Sequence, residues 1–534
     1  MKKQLFSNMK GALLSFIFIF SFSLCEGQSW VWGVTPKEIG GSSGGDGVSV
    51  SVDNNGNVYF AGSYIGIMAF GKDTLKVPEV TGTYLTKYDS NGIAIWTAHS
   101  TTGKSGGLYY SNIFTSMDLN KNIYLASSFF DTLIFGIDTL KSNTYPGASI
   151  FLAKYDSNGS LSWVKKAPIL SSASSGYLNS IATDKLGFTY ITGSFIDSIT
   201  FGSYLLKGGI NIGFPNIFLV KYDPNGNVVW AKQYVGSNST SNNQAYGINY
   251  NNKGNLFVTG YFTDTLTLGS SMLTTNTSSF FLAKYDTSGN VIWAKQSISP
   301  TKTCNAVGIA VTSDKLGNSY LTGDFIDSVS VGSNLLINRY TYYGGPQGLF
   351  TAKYDKNGNV IWAKCPQILD SNEWAVNSIT SDTMGNLYLS GGVQEFIYFS
   401  GPDYRIKFDS IDFFENSNEG FTYLLKADTS GKILCGSWLS PWDDDNFGVA
   451  SDPTGTYIYY GEDFSAPIYI GSDTLISVDR EELPILARWQ PCNNNIITSI
   501  TPIPKNPSLS LFPNPSSGTF TLSLSHAELV SASQ

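Results

Sequence analysis

Histidine is almost missing from this chain: His99 and His526 are the only two in 534 residues. A metal centre or catalytic dyad built on several histidines is therefore excluded, and His99 reads as a surface-loop residue. Charge is also scarce, at 14% of residues, and the balance is −8. A phosphate backbone needs a basic face, so nucleic acid is excluded as a partner. Sustained i, i+3, i+4 apolar spacing is lacking after residue 27, which argues against helices. No run after that point is long and apolar enough for a membrane helix. No CxxC pair, HExxH, GxSxG elbow, P-loop or Ser-His-Asp set occurs, so zinc and the commoner catalytic constellations have no carrier. No catalytic residue, metal or cofactor is expected from these absences.

Aromatic residues, by contrast, reach 14%, ample material for a core. They recur in a pattern. The segment 280–296, FFLAKYDTSGNVIWAKQ, reads as two short strands joined by a tight turn at Asp286-Thr287-Ser288-Gly289. Its tyrosine has counterparts at Tyr88, Tyr155, Tyr222 and Tyr354, giving spacings of 67, 67, 63 and 69 residues. Worn copies occupy 426–435 and 486–489. A second motif, DxxGNxYxTG in its full form, precedes each hairpin at 53–62, 184–193, 314–323 and 382–391, with looser versions from Asp118, Asn251 and Asp452. Asp opens such turns by bonding the backbone beyond it, and Gly takes the left-handed position. Each unit is therefore expected to be a four-stranded antiparallel meander, with a Gly-containing connection between its two hairpins.

Apolar residues are dense on both faces of these strands, so both faces need cover. Radial stacking supplies it, and the expected fold is an all-β, seven-bladed β-propeller. A linear stack would leave its end sheets bare. The chain ends favour the ring. Ser29-Trp30-Val31-Trp32-Gly33 matches an outer strand without its partner, and Leu486-Ala487-Arg488-Trp489 matches a third strand without its outer neighbour. Their pairing would close the last blade and remove two open edges. The units resemble the SBBP-type β-propeller repeats of exported bacterial proteins over about residues 28–490. The hairpin alone, DxxGxxxW, is also similar to the tryptophan-docking repeat of pyrroloquinoline-quinone dehydrogenases.

The expected organisation has four parts. Residues 1–27 form a signal peptide, with Lys2, Lys3 and Lys10 before the apolar run 12–24; Cys25 read as a lipoprotein cysteine is the alternative. Residues 28–490 form the propeller, and 491–507 a Pro/Asn/Thr linker. Residues 508–534 resemble, through Pro513-Asn514-Pro515 and Gly518, the opening of the C-terminal sorting domain of type IX secretion, cut short. That resemblance implies the type IX machinery as a partner and a secreted or outer-membrane surface location, periplasmic if the shortened domain fails. After signal removal Cys304, Cys365, Cys435 and Cys492 remain, with three pairings open; Cys435 stands where the repeat has Trp and reads as a buried free thiol.

The repeated polar residues read as structural first. Asp89, Asp156, Asp223, Asp286, Asp355 and Asp428 lack the spacing of an EF-hand and read as turn formers. Trp96, Trp163, Trp230, Trp293 and Trp362 read as packing wedges between blades. Lys87, Lys154, Lys221, Lys284, Lys353, Lys426 and Arg488 read as outer-strand residues whose stems cover aromatics while their heads reach water. Function is expected in loops that break the repeat on one face. Tyr109, Tyr110, Tyr177, Tyr342, Trp374, Trp442, Asp443, Asp444 and Asp445 are the candidate ligand-binding residues, since aromatic rings beside hydrogen-bonding groups suit glycans and protein epitopes. The expected function is a non-catalytic, monomeric binding or adhesion module for extracellular glycan or protein. The alternatives are a carboxylate-based glycan hydrolase, a quinoprotein-like enzyme, or a purely structural surface module.

The triplet Asp-Ser/Thr-apolar recurs at Thr74, Thr132, Thr139, Ser198, Thr265, Ser328 and Thr474. It resembles the O-glycosylation acceptor of exported Bacteroidetes proteins, and it equally suits a copied strand-entry turn. Intact mass of the protein from its natural producer separates the two: sugar increments support acceptors, and the bare polypeptide mass ends the glycan reading.

Overall fold

The computed structural model describes residues 29–492 except 40–43, 104–106, 143–146, 172, 210–212, 252, 302–303, 339–347, 369–372, 395–403, 410, 416–420, 440–447, 465–466, 471–472 and 477–481, together with 512–513 and 520–521. The residues expected as signal peptide, and most of those expected as linker and C-terminal domain, lie outside the described residues, whereas Pro491 and Cys492 at the start of the expected linker are described and buried.

The described residues are all-β, without a helix, in a propeller-like arrangement. A full unit is seen in the run Gly107–Met117, Ile123–Phe130, Ser149–Tyr155 and Leu161–Ala167, paired in that order as an antiparallel meander. The unit before it pairs Gly47–Val52, Val58–Phe70, Asp73–Tyr88 and Ala94–Thr102. The unit after it pairs Ser175–Thr183, Thr189–Ile196, Asn216–Tyr222 and Val228–Tyr234. The fourth runs from Asn243–Asn251 to Val291–Gln296, the fifth from Asn305–Ser313 to Val360–Lys364, and the sixth from Glu373–Ser381 to Ile433–Leu439. The first strands pack on one another in sequence, and Gly448–Ser451 of the closing unit packs back on Gly47–Val52.

The core lies between sheets, as the two-sided apolar pattern requires. In Ser149–Tyr155, Ile150 and Leu152 join one buried cluster with the next unit, while Phe151 and Ala153 join another with the preceding unit. Alternation along the strand thus serves two interfaces.

Both turns of most meanders are built by aspartate, and in the fourth unit Asn251 takes its place at the first turn, its Oδ1 accepting the N–H groups of Lys253 and Asn255. Asp314 Oδ1 accepts the N–H groups of Leu316 and Asn318, both at 2.9 Å, and Oδ2 accepts Asn318 Nδ2 at 2.7 Å. Asp286 does the same for Ser288 and Asn290. The carboxylate oxygens are committed to their own turns, in agreement with the turn reading.

These turns also join the units. Trp163 Nε1 and Lys154 Nζ, opposite each other in register, both donate to the Pro224 carbonyl in the turn of the following unit, at 3.1 and 3.2 Å. The same pair of donors converges on Ser157 from Trp96 and Lys87. Trp230 and Lys221 converge on Thr287, Trp293 and Lys284 on Lys356, and Trp362 and Lys353 on Thr429. The turn glycine lies on the tryptophan face: a Cβ on Gly226 would sit 3.1 Å from Trp163, and its φ of +79° already excludes most side chains. The lysine heads therefore hold a carbonyl of the next unit rather than extending freely into water. They stand on third strands, over rings such as Tyr124 at 5.3 Å and Tyr320 at 4.9 Å. Lys284, Lys353 and Lys426 are buried, and burial lowers their pKa.

The chain ends pair as the half-motifs suggest. Ser29–Val34 is antiparallel to Leu483–Gln490, with Trp32 opposite Arg488 and Trp30 opposite Trp489. This is the Lys154–Trp163 register, including the bulge after it. Trp32 Nε1 donates to Ser90 O at 3.2 Å, and Arg488 Nη1 donates to the same carbonyl in the first unit. At the joint before it, Cys435 replaces tryptophan. It is not a free thiol: it is disulfide-bonded to Cys492, while Lys426 Nζ donates to Cys492 O at 3.0 Å. The covalent bond takes the place of the indole contact, and by restricting the unfolded chain it stabilises by on the order of 4 kcal/mol. Cys304 and Cys365 are free thiols.

The connection within each unit is itself a hairpin, which the sequence reading missed. Ser198–Phe201 pairs with Tyr204–Lys207, and Ser328–Val331 with Asn334–Ile337. In the first and fourth units the same hairpin continues long strands, Val58–Phe70 with Asp73–Tyr88 and Asn255–Leu268 with Ser271–Asp286. Its two-residue turn places Gly71, Gly136, Gly202, Gly269 and Gly332 at φ of 57° to 60°, the first central position of a type II′ turn. The words FGKDTL, FGIDTL, FGSYLL, LGSSML and VGSNLL carry that signal. His99 lies in the strand Ala94–Thr102 rather than a loop.

Trp30 and Trp32 are both buried, each contributing on the order of 4 kcal/mol as an upper estimate. Removing residues 28–35 is expected to lower the unfolding temperature strongly; an unchanged melt would count against closure. Trp163→Phe is expected to cost about 1 kcal/mol in urea unfolding, since the indole donor is lost but Lys154 remains on the carbonyl. Trp163→Ala is expected to cost about 3 kcal/mol. Equal costs for the two would refute the hydrogen-bonded clasp.

Candidate functional site

Antiparallel alternation sends the Asp-x-x-Gly turns, and the Asn251 turn that stands for one of them, to one face. The inserted hairpins and the unit-to-unit connections emerge at the other. The turn face is committed to holding neighbours together, so the connection face is where other chemistry has room.

Aspartate has a second structural role on the connection face. Asp131, Asp197, Asp264 and Asp327, which open the triplets at the hairpin entry, sit at φ of 60° to 66°, a conformation Asp tolerates better than most residues. Their carboxylates anchor the incoming connection. Ser174 Oγ donates to Asp197 at 2.7 Å, Ser237 Oγ to Asp264 at 2.7 Å, and Thr301 Oγ1 to Asp327 at 3.1 Å. The triplets are thus two features rather than one: Thr132, Ser198, Thr265 and Ser328 begin the hairpin, whereas Thr74, Thr139 and Thr474 lie on its return strand. Ser198 and Ser328 are buried, their hydroxyls beside Ser174 Oγ and Cys304 Sγ. Burial sets these two apart from the acceptors expected on the return strands. Thr74, Thr139 and Thr474 are exposed.

A pocket of about 390 Å³ opens on the connection face where the second, third and fourth units meet. Its geometry comes from β-bulges. In the first strand of most units the ladder skips one residue: Asn179 in the third and Tyr246 in the fourth. In the second unit the break is wider, from Leu108 to Ile113. A bulge re-aims its side chain away from the pleat. Asn112, Asn179 and Tyr246, all from these breaks, line the pocket together with Tyr177, Ser194 and Gln244. Leu178, Ile196 and Pro215 supply its apolar wall.

Several of these groups are already fixed. Asn179 Nδ2 donates to Ala245 O at 2.8 Å. Gln244 Nε2 donates to Tyr261 OH at 2.9 Å, and Tyr261 OH donates to Asn242 Oδ1 at 2.9 Å. Tyr246 and Tyr261 rings are stacked, with centroids 5.9 Å apart, and burial first, then Tyr261, raises the Tyr246 pKa. Ser128 and Ser194 occupy the same register in neighbouring units, opposite Ile150 and Ile217. Ser128 Oγ accepts the Leu178 N–H at 2.9 Å. Ser194 Oγ, fully buried, has no hydrogen-bond partner among the described residues.

Of the sequence-selected residues, Tyr177 lines the pocket and lies within a strand, Ser175–Thr183, rather than a loop. Tyr109 and Tyr110 lie by backbone in the wide break that leads to Asn112. Trp374 lies in the strand Glu373–Ser381. Tyr342, Trp442, Asp443, Asp444 and Asp445 lie outside the described residues. Asn112, Asn179, Ser194, Gln244 and Tyr246 were missed; the signal was a polar residue at the bulge position of adjacent repeats, visible only once register is known.

Elsewhere on this face, Asp46, Asp463 and Glu482 bring one carboxylate oxygen each within 4.8 Å of one another across the closing seam. Ser63 Oγ donates to Asp46 Oδ2 at 2.8 Å, and the Glu482 carbonyl accepts the Gly45 N–H at 2.9 Å.

No family model matches the chain. It is similar to an uncharacterized WD repeat-containing protein of Acanthamoeba polyphaga mimivirus, 26% identical over 384 residues. That match covers 59% of this chain and only 27% of the viral protein. Among solved structures, an ulvan lyase of a polysaccharide lyase family is similar at 10% identity and a TM-score of 0.42, covering 78% of this chain and 92% of that one. The quinohemoprotein alcohol dehydrogenase of Comamonas testosteroni is similar at 10% identity and a TM-score of 0.37, covering 90% and 79%. Neither structural likeness bears on what this chain does.

Proposed function

We propose that the chain is an exported, seven-bladed β-propeller that binds glycan or protein through its connection face, without catalysis. The observation that carries this reading is the division of labour between the faces. On the turn face the Asp of the repeat is committed to its own turn, and the Lys, Trp and Gly to neighbouring units. On the connection face the repeat is broken, and the breaks of three adjacent units surround one pocket with aromatic and amide side chains. The blade count is supported by the succession of first strands that returns from Gly448–Ser451 to Gly47–Val52. The SBBP-type resemblance supports the same architecture.

Export to a secreted or outer-membrane location is part of the proposal. The Cys435–Cys492 disulfide supports an oxidising compartment. The signal-like residues 1–27 and the sorting-domain resemblance at 508–534 support type IX export, with the type IX machinery as partner.

The test is a glycan array together with a pull-down from extracellular extract, both with purified residues 28–492. Selective retention of a glycan or protein is expected. A blank array with an empty pull-down would overturn the reading, as would turnover in a parallel screen on polysaccharides.

A further inference from the structure

The pocket on the connection face also says what kind of molecule it takes. Its lining holds no Asp, Glu, Lys or Arg. A charged ligand group would therefore be desolvated without a partner, at a cost of several kcal/mol. A purely apolar ligand is equally mismatched, because it would seal off polar atoms that the protein leaves open. Ser194 Oγ is buried and without a partner among the described residues. The Asn112 side chain and the Tyr246 hydroxyl likewise make no hydrogen bond among the described residues, although both line the pocket. A buried hydroxyl such as that of Ser194 is normally satisfied, and leaving it unsatisfied costs about 1–3 kcal/mol, whereas Asn112 and Tyr246 are half-buried and open to the pocket.

The open set comprises two hydroxyls and an amide, each able to donate and to accept. Beside them the rings of Tyr177 and Tyr246 provide flat apolar surface. A volume of about 390 Å³ lies in the small-ligand range of roughly 300–1,000 Å³. A ligand that fits must be uncharged, compact, dense in groups that both donate and accept, and apolar on its ring faces. That describes a neutral sugar.

The comparison between units sharpens the point. Ser128 spends its hydroxyl on the backbone of the next first strand. At the equivalent position Ser194 does not, and the neighbouring bulge residue Asn179 takes the backbone contact to Ala245 instead. The third unit thus keeps the framework contact and leaves the Ser194 hydroxyl uncommitted at the pocket wall.

We propose that this pocket binds a neutral mono- or disaccharide unit, held by hydrogen bonds to Asn112, Ser194 and Tyr246 beside the Tyr177 ring. The inference rests on the binding reading given above and narrows it to one site and one chemistry.

The experiment is calorimetric titration of residues 28–492 with glucose, galactose, mannose, N-acetylglucosamine, cellobiose and lactose. Glucuronate and glucosamine serve as charged counterparts. Saturable binding of at least one neutral sugar is expected at a Kd of about 1 mM or tighter. Tyr246→Phe and Asn112→Ala should each weaken it about tenfold, with melting temperature little changed. Ser194→Ala should weaken binding while leaving the melt unchanged or raised, since it removes a buried hydroxyl with no partner. A merely structural serine would move the melt downward and leave affinity alone.

No neutral sugar binding at about 50 mM would overturn the assignment, as would binding that all three variants leave unchanged, or equal binding of the charged sugars. If the array or pull-down is positive while these variants bind normally, the pocket assignment fails and the binding face stands. If array and pull-down are both empty, the wider reading fails with it.

Discussion

At five joints between units one carbonyl oxygen gathers two donors. It belongs to the second residue of an Asp-x-x-Gly turn, and it accepts an indole N–H and a lysine ammonium from the unit before. A carbonyl has two lone pairs, so two donors saturate it. The geometry makes demands that explain the repeat. The lysine and tryptophan must face each other across a strand pair, as Lys154 and Trp163 do. The turn must be tight, which calls for the aspartate. Its glycine must present no Cβ to the ring, as at Gly159, where one would lie 2.6 Å from Trp96. An aromatic beneath the ammonium, Tyr59 or Tyr124, offsets the burial of charge. Residues that look like separate repeated motifs are parts of one contact.

That contact explains what could be read from the sequence. Strand pairing, the two aspartate turns and the meeting of Ser29–Val34 with Leu483–Gln490 follow from local words and from two half-motifs with no other partner. The clasp was half legible. Trp and Lys recur at fixed positions, but nothing in a linear pattern says that their donors reach the same atom of another unit. The lysines were misplaced for that reason: a solvated head is the usual state, and burial of Lys426 depends on the Cys492 carbonyl, 66 residues away. Cys435 was misread because its partner lies at the chain end, in a position that only closure turns into the neighbouring turn. The extra hairpin was missed although its Gly-x turns recur, because attention rested on the triplets beside them.

The candidate site was less legible, for a different reason. Departure from the repeat is a good guide to loops, and it found Tyr177 and the segment leading to Asn112. Bulge residues are another matter. Asn179 and Tyr246 interrupt no repeat in sequence; they differ from neighbouring units only in which side chain occupies a position that the ladder skips. Three such positions meet because first strands are adjacent, and adjacency is a property of the ring.

The bulges have one more consequence. The skipped residue contributes nothing to the ladder's hydrogen bonds, so its side chain can change without disturbing the pairing on either side. Val48, Asn179, Tyr246, Ile309 and Asn377 occupy this position in different units. The spread of side chains, from aliphatic to amide to phenol, is what a position outside the ladder register allows. Selectivity in such an architecture can diverge by single codons while the scaffold stays fixed.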